Sequence, residues 1–340
     1  MTLTMSKVLV ALSGGLDSSY TAYLLKNQGY HVDGIHFSNG LVNDDNTDLI
    51  HKISQILEID VQFIDIQQQF EQLLDEIDIE MCHRSTPNIC VLCARNIKFG
   101  YVMNYALEHG YDYLATGHYV QITETRDDVI IDRAIDQSKD QSYGFSVIPK
   151  KQLRHALTPL GKHIKTTIRR HALELGLPFI HRESHGLCFK KTGVSFTQFY
   201  NQYTKYALIS GQFIEPNGTC EHHGQQLYTK GQKVHINGKK LFVKDKLSNG
   251  DIIITTRENL FENIVKITKI NYMIDPDQIN LAKQYQIMIR YNTVPVKCLI
   301  TDITDDCLTV RTESPVFAPT SGQIGAIYDG IHVLIGGFIC

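Results

Sequence analysis

Two clusters of reactive residue types stand out in a chain of 340 residues. The first is Ser13-Gly14-Gly15-Leu16-Asp17-Ser18-Ser19. Paired glycines let the backbone turn tightly, so that successive N–H groups converge on one point, and a helix beginning there adds the positive end of its dipole. Hydroxyls on Ser13, Ser18 and Ser19 supply further donors, so the segment predicts a phosphate cradle. No Gly-Lys-Ser/Thr follows, which excludes a Walker A loop. The second cluster is made of thiols. Eight cysteines occur, at positions 82, 90, 93, 188, 220, 298, 307 and 340, and Cys90 and Cys93 form a C-x-x-C pair. The first residues lack a signal-peptide cleavage pattern, so metal binding or redox exchange is expected of these thiols rather than a disulfide framework. Cys298 and Cys307 lie in strand-like runs and read as buried, inert side chains. The C-x-x-C pair by itself fits zinc, an iron–sulfur ligand set, a redox couple or two unrelated thiols.

Charge adds a third signal. The net charge is only −3, yet residues 150–191 hold ten Lys/Arg against two acids, Glu174 and Glu183, while residues 44–80 hold eleven acids against one base, Lys52. A localised basic face can bind a polyanion on a protein of acidic balance, and a solvated helix surface has the same composition.

These residues need elements to position them. Residues 7–12 form an apolar β-run that ends at the glycine pair, and the helical spacing of Tyr20, Leu24 and Leu25 follows, with Gly29 as its stop. Residues 31–38 read as a second strand, 48–59 as a helix with Ile50, Ile53, Ile56 and Leu57 inward, and 61–66 as a third strand. A further helix over 96–110 and a strand with its loop over 111–120 continue the alternation. This pattern predicts an α/β fold with a parallel sheet and its chemistry at the strand C-termini. Beyond about residue 200 short alternating strands take over, and Asn-Gly at 217–218, 237–238 and 249–250 signals hairpins. The expected domains are a catalytic domain over 5–200, a small central β domain over 201–262 and a β-barrel-like domain over 263–340. Apolar runs fall short of the ~20 residues a membrane helix needs, so a cytoplasmic protein is expected; a monomer is expected as well.

The Ser-Gly-Gly-x-Asp-Ser string resembles the pyrophosphatase loop, whose families cleave ATP between the α- and β-phosphates and transfer AMP to an oxygen. That resemblance implies Mg²⁺ held with the pyrophosphate by Asp17. Ser85-Thr86-Pro87-Asn88-Ile89-Cys90-Val91-Leu92-Cys93 and the following Ala94-Arg95-Asn96-Ile97-Lys98-Phe99 are similar to the TPNPDxLCNxxIKF motif of the tRNA 2-thiouridylases. Ser184-His185-Gly186-Leu187-Cys188-Phe189 is similar to their SxGICF motif. Between them Ala115-Thr116-Gly117-His118-Tyr119 and Lys139-Asp140-Gln141-Ser142-Tyr143 match family motifs in order. The family resemblance implies a pyrophosphatase-loop domain followed by small antiparallel β domains. It implies ATP-dependent thiolation of a tRNA uridine at C2, at the wobble base. Cys93 is then the nucleophile and Cys188 the persulfide carrier, charged by a desulfurase or relay protein. Ala11, Leu12, Ser13, Gly14, Gly15, Leu16, Asp17, Ser18, Phe37 and Gly117 would bind ATP. His118, Lys139, Asp140, Gln141, Arg290, Tyr291 and Gln323 would contact tRNA, with the basic segment 150–191 as an electrostatic footprint.

The chain departs from that pattern at the cysteine motif. Cys90 stands where the family has an Asp, and Ile89 where it has a Pro. Three cysteines, Cys90, Cys93 and Cys188, then suit either a disulfide relay with an extra resolving thiol or a [4Fe–4S] cluster with one open iron. Two other activities remain alongside uridine 2-thiolation: thiolation of another RNA base through such a cluster, and amide formation by an adenylating ligase, which would need neither paired thiols nor RNA-docking β domains.

Overall fold

The computed structural model describes residues 5–41, 46–126, 128–180, 193–215 and 218–340. In chain order the first part holds β1 (Lys7–Ala11), α1 (Leu16–Asn27), β2 (His31–Ser38), α2 (Thr47–Leu57), β3 (Val61–Asp65) and α3 (Gln67–Cys82). The short α4 (Ile89–Leu92) runs into a wide, π-type helix over Cys93–Val102, and α5 (Met103–Glu108) completes that rod. β4 (Tyr113–Ala115), β5 (Val120–Glu124), β6 (Val129–Arg133), α6 (Ser142–Phe145), α7 (Lys150–Leu153), β7 (Ala156–Leu157) and α8 (Lys165–Glu174) follow. The second part holds α9 (Phe196–Tyr203), β8 (Gly211–Glu215), β9 (Gly218–His222), β10 (Lys233–Ile236), β11 (Lys239–Lys246) and β12 (Ile252–Thr255). It ends with β13 (Phe261–Tyr272), β14 (Tyr285–Met288), β15 (Val296–Ile303), β16 (Cys307–Phe317), β17 (Ile324–Asp329) and β18 (His332–Ile339). Contacts divide the chain into two units, one made of residues 1–73, 90–194 and 331–333, the other of 74–89, 195–330 and 334–340.

In the first unit a parallel sheet has the order β3-β2-β1-β4-β7. Val8, Leu9 and Val10 on β1 are fully buried, as a central strand covered on both faces demands. α2 packs by Ile50, Ile53 and Leu57, whereas Ile56, expected inward, is exposed because it falls off that stripe. Residues 111–120 give the three-residue β4, a loop over 116–119 and the start of a β5–β6 hairpin. Strand order reverses between β1 and β4, so the loops after these two strands diverge around a crevice.

The second unit is built of β-sheets, as the hairpin signals imply. β10–β11 turns through Asn237 and Gly238, both at positive φ, and β11–β12 through Asn249 and Gly250. Of the 217–218 pair, Asn217 lies outside the described residues. The sheet β10-β11-β12-β8-β9 is antiparallel except where β12 runs parallel to β8. β13 to β18 follow the order β13-β16-β15-β14-β17-β18 and close by pairing β13 with β18. Inside the barrel Ile267 is fully buried, and a Cβ on Gly325 or Gly337 would come within 2.5 or 2.4 Å of its side chain.

Candidate active site

The loop after β1 has the form its composition predicts. Gly14 takes φ +75°, a conformation that favours glycine, and Gly15 caps α1. The Ser13 N–H donates to Ser18 Oγ at 3.2 Å, and Ser18 Oγ donates to the Gly15 carbonyl at 3.1 Å. Ser19 Oγ reaches the same carbonyl at 3.0 Å. These bonds preorganise the turn. Ala11 ends β1, the Leu12 N–H donates to Ile35 O at 2.8 Å, and Leu16 is buried under the first turn of α1. Phe37, partly buried, pairs with Ile64 near the end of β2.

Asp17 anchors a small cluster. Its Oδ1 accepts from the Tyr119 hydroxyl at 2.8 Å and its Oδ2 from Lys165 Nζ at 2.9 Å. The same ammonium sits 5.6 Å from the Tyr119 ring centroid. Gly117, from the loop after β4, lies against this turn so closely that a Cβ would be 2.8 Å from the Asp17 carbonyl carbon and 2.9 Å from Ser18 N. The two loops at the strand-order reversal are therefore in van der Waals contact.

His118 follows Gly117. Its Nδ1 shares a 2.7 Å hydrogen bond with Thr116 Oγ1, and its ring packs 6.0 Å from Phe99 and 5.2 Å from Phe145 between centroids. Burial, with Lys98 nearby, lowers its pKa well below the ordinary histidine value, so the ring is neutral at pH 7. Asp140 is buried and accepts from Arg133 Nε at 2.8 Å, Ala134 N at 2.9 Å, Ser142 N at 3.2 Å and Ser142 Oγ at 3.0 Å. Gln141 Oε1 accepts from the Tyr119 N–H at 2.9 Å, and its own N–H donates to Tyr119 O at 2.8 Å. Asp140 fixes the 133–142 turn and Gln141 fixes Tyr119, which in turn orients Asp17. Lys139 is half-buried, with its N–H on Asp136 O at 3.0 Å.

Cys93 is buried at the start of the wide helix, while Cys90, three residues earlier, is exposed. Phe99, one of the rings against His118, belongs to the same helix. Cys188, with the rest of its motif, lies outside the described residues. Among the described residues no group of three His, Cys, Asp or Glu side chains could hold a metal ion.

The basic segment divides. Lys150 pairs with Asp128 at 2.5 Å and Arg154 with Glu124 at 3.9 Å. Lys165 joins the glycine turn after β1 through Asp17. Lys162 is exposed, and exposed Arg170 makes an i,i+4 pair with Glu174. Residues 181–191 of this segment lie outside the described residues. Lys165 and Tyr119 are the site residues that sequence reasoning had not assigned to the loop; Lys165 offers no local signal beyond being one of many lysines.

In the second unit Arg290 Nη2 donates to Lys230 O at 3.0 Å, Ala318 O at 3.1 Å and Thr320 Oγ1 at 3.0 Å. Tyr291 beside it is 51% exposed. Gln323 Nε2 donates to Thr86 O at 2.7 Å, and the Thr86 N–H donates to Ser321 O at 2.8 Å, so residues 321–323 clamp the segment around Thr86. Lys246, also unassigned from sequence, is buried with its ammonium 3.4 Å from Ser85 O; burial and then the Arg84 charge lower its pKa to about 8.

Comparison with known proteins agrees with this architecture. Residues 6–192 match a family model described as the tRNA methyl transferase HUP domain, and residues 262–339 one described as the aminomethyltransferase beta-barrel domain. The chain is 32% identical to a protein of Clostridium acetobutylicum named tRNA-specific 2-thiouridylase MnmA, over 98% of this chain and 99% of that one. Proteins of the same name from Helicobacter hepaticus and Campylobacter curvus are 32% and 30% identical, again over 98% of this chain and 99% of each relative. Among solved structures, a 4-thiouridine synthetase–RNA complex with bound ATP matches at 15% identity and a TM-score of 0.38, over 51% of this chain and 41% of that one.

Proposed function

Because the chain belongs to the tRNA-specific 2-thiouridylase family, we propose that it is a tRNA-uridine 2-sulfurtransferase that activates the base with ATP. The observation that supports this most strongly is the cluster at the strand-order reversal: a glycine turn with ordered hydroxyls, and Gly117 packed onto Asp17. Such a turn suits a triphosphate, whose oxygens are met by backbone N–H groups and a helix N-terminus. Asp17 is a partly exposed carboxylate of the kind Mg²⁺ prefers, and the ion would offset charge on the pyrophosphate.

In this reading the uridine O2 attacks the α-phosphorus, the bond from that phosphorus to the bridging oxygen breaks, and pyrophosphate leaves while the N3 proton passes to solvent. The terminal sulfur of a persulfide on Cys188 then attacks C2 and AMP leaves with the O2 atom. Cys93 thiolate attacks the Cys188 sulfur, which forms a Cys93–Cys188 disulfide and frees the sulfur as the C2 thiocarbonyl. A donor protein recharges Cys188 once a thiol reductant has reopened the disulfide. The neutral His118 beside Gly117 suits a base-stacking or hydrogen-bonding role rather than a phosphate contact. A cytoplasmic monomer acting on the wobble uridine completes the proposal, and among the described residues no helix is long and apolar enough to cross a membrane. An amide-forming ligase has no counterpart in full-length relatives that are named 2-thiouridylases.

Mass spectrometry of tRNA nucleosides from cells with and without the gene tests the reading. Loss of a 2-thiouridine is expected; an unchanged thionucleoside profile, with purified protein that makes no AMP from ATP in the presence of unmodified tRNA, refutes it.

A further inference from the structure

We infer that Lys165 is a direct ligand of the ATP phosphates, its ammonium placed beside Asp17 in reach of them. The inference rests on the ATP-dependent reading above and adds a residue that neither the motifs nor the charge pattern assigns to it.

Lys165 is the first residue of α8, whose N-cap is Ile164 with no side-chain cap. A cation in a first helical turn opposes the helix dipole, and an uncapped turn leaves N–H groups short of acceptors. Asp136 accepts the Lys165 N–H at 3.0 Å, so the backbone is satisfied from outside the helix. The side chain is then directed at Asp17, 148 residues away in sequence, and is 13% exposed. Local rules are broken in this way mostly at functional sites.

The loop explains what such a cation is for. It carries Asp17 but no lysine or arginine of its own between Ser13 and Ser19. A triphosphate arriving there brings several negative charges next to a carboxylate, and the turn's N–H groups are dipoles rather than full charges. Lys165 supplies the missing unit charge from a different element. Tyr119 steadies the arrangement: its hydroxyl donates to Asp17, its ring lies beneath the ammonium, and Gln141 holds its backbone. Asp17 remains 30% exposed, so a ligand can reach the pair. With Mg²⁺ bound, Asp17 would hold the ion and the Lys165 ammonium would offset the charge that grows on pyrophosphate as its bond to the α-phosphorus breaks.

The test uses the full-length protein and metal-free ATP in EDTA, measured by calorimetry or equilibrium dialysis, beside AMP formation with Mg²⁺ and unmodified tRNA. Lys165→Met should weaken metal-free ATP about tenfold or more, the loss of one charge-assisted hydrogen bond, while Lys165→Arg keeps most of the affinity. Asp17→Asn should leave that affinity equal or tighter. The double variant Asp17→Asn with Lys165→Met should stay weak. Recovery of wild-type affinity in the double variant would mean that Lys165 only neutralises Asp17, and the inference fails. It fails also if Lys165→Met binds ATP normally and loses tRNA affinity instead, which returns the lysine to the RNA footprint. Thermal melting controls for folding, and Lys165→Arg gives a readout if the Met variant does not fold. Because nucleotide binding is read without RNA or sulfur, these outcomes are separate from those that test thiolation: wild-type protein that binds ATP yet makes no AMP with tRNA would sink the functional reading and leave this one standing.

Discussion

Gly117→Ala tests whether the contact between the two loops matters to catalysis. The added Cβ would lie 2.8 Å from the Asp17 carbonyl carbon, 2.9 Å from Asp17 Cβ and 2.9 Å from Ser18 N, where ordinary contact begins at 3.4 Å. The overlap is thus about 0.5 Å with three atoms, two of them backbone in the first turn of α1. That turn cannot yield easily, since Leu16, Ser18, Ser19 and Tyr20 are all buried. Gly117 is not among the glycines at positive φ, so the substitution carries no backbone penalty of its own and the effect is steric. Overpacking of this kind costs about 1–3 kcal/mol of stability, and displacement of a catalytic group by ~1 Å costs on the order of 10² in rate. The expected result is tRNA-dependent AMP release down by about a hundredfold, a melting temperature lowered by a few degrees, and tRNA affinity within about twofold of wild type. AMP release within about threefold of wild type, in a protein that melts normally, would refute the claim that this contact sets the position of Asp17.

Two further outcomes follow from side chains elsewhere. Lys246 has a folded pKa near 8 against the ordinary 10.5, so its ammonium destabilises the fold at every pH below about 8 and the cost fades as pH rises toward 10.5. Lys246→Met should therefore raise the urea midpoint at pH 7, by the equivalent of about 3 kcal/mol, with the gap to wild type closing near pH 10; a variant less stable at both pH values would show the ammonium to be favourable through Ser85 O. With Cys90 exposed and Cys93 buried, we expect protein reconstituted anaerobically to remain iron-free, Cys90→Ser to retain single-turnover thiolation and Cys93→Ser to lose it. Bound iron and an absorbance near ~400 nm that disappear in Cys90→Ser would establish a cluster instead.

The parts of the site that sequence reveals are those with a local physical cause. Gly14 must be glycine because of its φ, and Ser13, Ser18 and Ser19 mark a turn that orders itself within seven residues. The sheet was legible for a similar reason: a strand buried on both faces, such as β1, is apolar throughout. Lys165 was not legible, because its meaning comes from a partner 148 residues distant and a run of positive charge says nothing about which member turns inward. Ile56 shows the same limit in miniature, since an apolar residue one position off the helix stripe reads as core and is exposed.

The residues expected on RNA can be sorted by whether their polar atoms are already engaged. Asp140 accepts four donors, Gln141 Oε1 holds Tyr119, Gln323 Nε2 holds Thr86, and Arg290 Nη2 serves three acceptors. Withdrawing any of these groups to meet a phosphate or a base would leave a buried or partly buried partner unsatisfied, at a cost of up to about 1–3 kcal/mol each. Substitution at these four positions should therefore disturb the local fold before it disturbs RNA affinity. Tyr291 differs from them in being half exposed, and an aromatic face at the surface can take an unstacked base. Exposed Lys162 is in the same position with respect to phosphates. A motif thus mixes exposed side chains with side chains that hold their neighbours in place. Engaged hydrogen-bonding groups tell the two apart here: Gln141 holds Tyr119, and Tyr119 in turn holds Asp17.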